Sequence, residues 1–265
     1  MNIYLQLTDE FNRGRLRAIL SGGQAVVMHR VALMSKDGDW ILREDNEALA
    51  HILTVLEGYG ATCRFGAPLD VRWMSGGWSA HFEFMYHDLR IRTDFVTRPP
   101  RIPADRLALL WREQKDRKPP FLDAADLIES KKTNREKDYA AIGELARMLE
   151  SVEDRLKYSR SARELIDLAG QYPDKIAEME ERRPVLAAIS DGLEPVEAAL
   201  DAERRQLMRA NERRLAAYMT AAARWQAIWP EISRSLDGKP LHAAHREMIR
   251  RAADLLPVTV PGGLS

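Results

Sequence analysis

Three aspartates and a glycine pair are the residues of this chain whose types and spacing suit chemistry on phosphates. Ser21-Gly22-Gly23 closes an apolar segment, and glycine, having no Cβ, lets backbone amides come close to a phosphate. Asp37 and Asp39 follow, two residues apart. On a strand over residues 37–42, alternation turns both carboxylates to one face, where two hard oxygen ligands can share a divalent cation. Asp94 lies in the alternating run Arg90-Ile91-Arg92-Thr93-Asp94-Phe95-Val96. A carboxylate flanked by Ile91, Phe95 and Val96 costs free energy unless it is paired or bound to metal. Each feature also has a plainer use: Gly-Gly as a turn, Asp-Gly as a hairpin tip, Asp94 as the partner of Arg90 or Arg92.

The elements that must position these residues are readable as an α+β core. Thr8 or Asp9 is placed to cap a short amphipathic helix with Phe11, Leu16 and Ile19 on its apolar side, ended by the glycines. Leu49, Ile52, Leu53 and Leu56 recur at helical spacing before the stop signal Gly58. Extended segments are expected at 61–65 with 69–74, at 80–86 and at 89–96, with Gly76-Gly77 and His87-Asp88 as turns. Trp73, Trp78, Phe82 and Phe84 crowd these strands and read first as core, then as a nucleobase stacking surface. His29, His51, His81 and His87 lack the spacing of a helical zinc site and read as structural.

Taken in order, Leu20-Ser21-Gly22-Gly23, Asp37-Gly38-Asp39, a helix and then Thr93-Asp94-Phe95 resemble the nucleotidyltransferase superfamily, the fold shared by DNA polymerase β, minimal nucleotidyltransferases and AbiEii-type toxins. The run from Asp123 to Asp138, with Leu127-Ile128, Lys131, Arg135 and Asp138, resembles the helix that follows the core in AbiEii-like members. The resemblance covers roughly the first half, to about Leu149, and implies a nucleotidyltransferase-like mixed sheet with flanking helices. It implies an enzyme that transfers NMP from a nucleoside triphosphate to an RNA (tRNA-like) or protein acceptor, in some members as a toxin with an antitoxin-like protein partner. Asp37 and Asp39 would hold Mg2+ (or Mn2+), and Asp94 would complete a metal site and accept the proton of the attacking hydroxyl. Ser21, Gly22 and Gly23 would hold the β and γ phosphates, and Lys131, with Arg98 or Arg101, would neutralise the triphosphate. The chain departs from the pattern at Gly38, where the family prefers an apolar residue, and at Arg30, where it has a glycine. Gly38 predicts a bulge or loosened strand, and with it an alternative: a nucleotidyltransferase-fold binding or scaffold protein with weakened catalysis.

Beyond residue 150 strand patterns vanish, and prolines at 173, 184, 195, 230 and 240 are expected to cut an all-α bundle into helices of ordinary length. This sets expected domains at 1–149 and 150–257, with a loosely ordered tail at 258–265. Residues 151–201 hold twelve acids and seven bases, residues 203–251 five and eleven. Arg205, Arg209 and Arg213, four apart, form a basic stripe suited to an RNA backbone or to a solvated face. Over the whole chain forty basic residues balance forty acidic ones, so any preference for nucleic acid is local. A single cysteine, Cys63, excludes an intrachain disulfide and a Cys-based zinc cluster. With no basic leader or long apolar run, a cytoplasmic protein without a membrane span is expected.

Overall fold

The computed structural model describes residues 2–262, which divide into two compact units. The first comprises residues to Met28, Leu33–Leu122 and the stretch from Arg214 onward; the second comprises His29–Ala32 and Asp123–Arg213. This division departs from the expected boundary near 150: the chain enters the helical unit at Asp123, and its last helices belong with the sheet.

The first unit is built on a five-stranded mixed sheet of β1 (Ala18–Ser21), β2 (Asp37–Leu42), β3 (Thr62–Cys63), β4 (Ala80–Tyr86) and β5 (Leu89–Val96), in the order β1-β2-β5-β4-β3. Only β2 and β5 run parallel. Helix α1 (Ile3–Phe11) begins earlier than expected, because Asn2 Oδ1 accepts the Tyr4 amide at 2.9 Å and so caps it. Its buried face is Ile3, Tyr4, Leu7, Thr8 and Phe11. Thr8 is therefore core rather than cap, accepting from the Trp40 indole at 3.0 Å, and Ile19 is on β1. Helix α2 (Gly22–Met28) starts at the glycines instead of ending there. Helix α3 (Asn46–Gly58), capped by Asp45, buries Leu49, Ile52, Leu53 and Leu56 as its spacing predicts. Residues 69–74 are not extended: the Asp70 carboxylate accepts the Arg72 amide and starts α4 (Val71–Met74).

A second core joins this sheet unit to its C-terminal helices. Trp73, Trp78 and Trp225 pack with Ile232, Met248 and Leu256, drawn from α4 and the residues after it, α12 (Ala223–Leu236), α13 (Leu241–Ala252) and the segment that follows α13. A buried indole N–H needs an acceptor, and each finds one: Trp73 on Leu256 O at 3.0 Å, Trp78 on Pro257 O at 2.9 Å, Trp225 on Gly66 O at 2.9 Å. The middle-strand aromatics Phe82 and Phe84 are buried as well, so packing is their role. Within the expected tail Val260 is buried in this core; residues 263–265 lie outside the described residues.

The second unit is helical: α6 (Ala124–Lys131), α7 (Glu136–Arg147), α8 (Val152–Tyr158), α9 (Ala162–Gln171), α10 (Pro173–Met179), a 3-10 turn (Pro184–Asp191) and α11 (Leu193–Ala221) as far as Arg213. Helix α5 (Ala104–Glu113) belongs to the first unit. Prolines 173 and 184 open helices as expected, but Pro230 lies inside α12 and does not end it. Among the described residues, no helix is long and apolar enough to cross a membrane.

Candidate active site

One polar row crosses four strands. Ser21 of β1 is paired with Asp39 of β2, Asp39 with Asp94 of β5, and Asp94 with His81 of β4. Partners in register share a face on strands roughly 5 Å apart, so these four side chains form a line. Asp37 stands in the next row, opposite Arg92, which in turn faces Glu83. The three expected acids are thus brought onto one face of the sheet. Tyr4 registers their combined charge: burial first, then Asp37, Asp39 and Asp94, push its phenol up to about 12. Its hydroxyl donates to the Lys36 carbonyl at 2.5 Å.

The glycines earn their place by what would otherwise fill it. Gly22, at φ +55°, turns the chain from β1 into α2, and a Cβ there would stand 1.9 Å from Asp39 Oδ2. Gly23 has its amide 3.4 Å from the same oxygen. Gly38 does not loosen the strand: β2 pairs with β5 without interruption from Asp37 to Ile41, Gly38 opposite Thr93. Its missing Cβ is replaced by the rings of Trp40 and Tyr4, whose carbons would lie 2.3 and 2.6 Å from it. The expected bulge is absent because the core needs that space.

Asp94 is held by neighbours other than Arg90 and Arg92. His81 Nδ1 lies 2.6 Å and Arg64 Nη1 3.2 Å from its Oδ1, while Arg92 sits 3.9 Å from Glu83. His81, expected to be merely structural, is therefore part of the site, as are Arg64 and Ser79, whose Oγ is 2.8 Å from His81 Nε2. Lys131 lies in the second unit, buried, its Nζ 3.6 Å from Asp138 Oδ1. Arg98 is committed to Glu44 at 2.6 Å. In the basic stripe, Arg205 pairs with Asp201 at 2.9 Å, and Arg209 and Arg213 are exposed.

A magnesium or manganese ion fits this donor set in kind. The row supplies hard carboxylate oxygens, and the absent Gly22 Cβ makes room for the Asp39 carboxylate itself. Among the described residues no three His, Cys, Asp or Glu side chains form a ready-made cage. Magnesium does not require one, since it uses one or two carboxylates and completes its shell with water and substrate phosphates.

No family model and no curated protein matches the chain. Two solved structures do, both from Helicobacter pylori. One is described as a candidate nucleotidyltransferase, 12% identical with a TM-score of 0.40, the alignment covering 79% of this chain and 94% of that one. The other is JHP933, also 12% identical with a TM-score of 0.40, covering 80% of this chain and 92% of that one. Likeness at this level carries no functional argument, and the weight falls on the row of Ser21, Asp39, Asp94 and His81.

Proposed function

We propose that the chain is a metal-dependent nucleotidyltransferase that moves NMP from a nucleoside triphosphate to a hydroxyl acceptor at the acidic row. The observation that carries this reading is the register: Asp39 and Asp94 stand side by side on the parallel pair β2 and β5, with Ser21 completing the line. Asp37 and Asp39 would hold Mg2+ or Mn2+, with Asp94 contributing from the neighbouring strand. When bound, the ion neutralises the triphosphate and stabilises the attacking and leaving oxygens. Ser21, through its hydroxyl, and Gly22 and Gly23, through their amides, hold the β and γ phosphates against Asp39. Asp94 orients the acceptor hydroxyl and takes its proton, and its contacts on Oδ1 fix the carboxylate's direction. Lys131 has no part in this proposal, being spent on Asp138. The acceptor class would be an RNA, for which Arg209 and Arg213 are the available cations of the stripe, or a protein.

A second reading, a binding protein with weakened catalysis, draws on the Arg64–Asp94 ion pair, which competes with any cation for that carboxylate. Incubating the chain with α-labelled nucleoside triphosphates, magnesium and total RNA separates the two. Label is expected to pass to an acceptor with the wild type. Asp39→Ala is expected to lower the rate by about a thousandfold, the equivalent of several kcal/mol of lost charge stabilisation. Wild-type labelling by Asp39→Ala would sink the assignment.

A further inference from the structure

The polar row does not stop at the acids. His81 of β4 and Ser79, the residue before that strand, extend it. A carboxylate such as Asp94 only accepts, so the 2.6 Å contact places a proton on His81 Nδ1. The Ser79 hydroxyl lies 2.8 Å from Nε2, and in the neutral imidazole it donates there. Hydroxyl, imidazole and carboxylate thus stand in hydrogen-bonded sequence, the geometry of an activated nucleophile.

The backbone holds this set in place. The Ser79 carbonyl accepts the Ala67 amide at 2.9 Å and the His81 carbonyl accepts the Arg64 amide at 2.9 Å. A Cβ on Gly66 would lie 2.5 Å from His81 Cδ2, so glycine makes room for the imidazole. Ser79 is half-buried, open enough to be reached. An acyl substrate would need two N–H groups aimed at its oxyanion, but the neighbouring amides of Ala67 and Arg64 are spent on these carbonyls. The charge beside Ser79 instead belongs to the row that suits a nucleotide triphosphate.

We propose that Ser79 is itself a nucleotidyl acceptor, so that the chain modifies its own active-site strand; this rests on the nucleotidyltransferase reading above. A bond forms between Ser79 Oγ and the α-phosphorus while the bond from that phosphorus to the bridging oxygen of the β-phosphate breaks. Pyrophosphate leaves with the electron pair, and the hydroxyl proton passes to His81 Nε2, giving an imidazolium beside the Asp94 carboxylate. The product is a phosphodiester linking Ser79 to the nucleoside.

The full chain, incubated with magnesium and each of ATP, GTP, CTP and UTP, is digested and read by tandem mass spectrometry. An NMP adduct is expected on the peptide carrying Ser79. It should vanish in Ser79→Ala and Asp39→Ala and fall about 100-fold in His81→Gln. Ser79→Thr, which keeps a hydroxyl, should retain part of it and so separates loss of the acceptor from misfolding. Without nucleotide or metal, a fluorophosphonate probe should modify Ser79 about tenfold faster in the wild type than in His81→Gln; equal rates would overturn the proposal. Adducts on another residue or on RNA with Ser79 unmodified would also overturn it and leave the nucleotidyltransferase reading standing. Transfer to no acceptor from any nucleotide would remove both.

Discussion

Gly22→Ala is expected to slow nucleotidyl transfer by about 100-fold, the scale of a 1 Å misplacement in a catalytic set, and to cost roughly 1–2 kcal/mol of stability from a left-handed backbone. Gly22 sits at φ +55°, and the added methyl would stand 1.9 Å from Asp39 Oδ2, 2.4 Å from its Cγ and 2.7 Å from its Cβ. Because the Asp39 Cβ is also too close, rotating the carboxylate does not relieve the clash; the β1–α2 joint has to move off β2. The two losses are read separately, the first by the rate of label transfer and the second by thermal unfolding. A variant that unfolds a few degrees earlier yet transfers at the wild-type rate would show that the glycine serves the turn and not the site.

Arg183→Met is expected to destabilise the helical unit by about 1–3 kcal/mol for each buried carbonyl left without its donor. Arg183 is 4% exposed. Its guanidinium meets Glu203 at 3.0 Å and donates to the Leu156 and Ser159 carbonyls at 2.6 and 2.8 Å. Removing it leaves two carbonyls without a donor and Glu203 with Arg160 as its remaining partner. The pH dependence follows from the same group. Burial raises the Glu203 pKa, but hydrogen bonding and charge from Arg183 and Arg160 outweigh it and hold the carboxyl below its ordinary value of 4.5. A depressed carboxyl stabilises above its unfolded pKa and loses that contribution as pH falls through its folded one. The gap between wild type and Arg183→Met in denaturant midpoint should therefore be full at pH 7 and narrow below about pH 4.5. A pH-independent gap would mean that packing of the arginine stem, not its charge, is what matters.

Much of the site is local enough to read from sequence. Strands β4 and β5 fall where alternation puts them, and His87-Asp88, both at positive φ of 46° and 62°, makes the two-residue turn between them. Counting back from that turn, Tyr86 faces Leu89 and His81 faces Asp94. The role of His81 was thus available from turn length alone, and treating histidines only as zinc ligands hid it. What the sequence could not supply is non-local. The pairing of β2 with β5 depends on a crossover of fifty residues or so, and nothing near Asp39 announces that its neighbour is Asp94. Gly38 looked like a defect because its reason lies in Tyr4, a helix away. Residues 69–74 looked extended because Leu69, Val71 and Trp73 alternate, while the Asp70 cap redirected them. Lys131 matched a motif, and its charge is answered by Asp138 in its own unit.

Nucleotide binding at the acidic row is tested most directly by a structure of the chain with magnesium and a non-hydrolysable nucleoside triphosphate. Phosphate density is expected against Ser21, Gly22 and Gly23, with a cation held by Asp37 and Asp39. A nucleotide bound elsewhere, with Asp39 and Asp94 still facing each other unliganded, would contradict it.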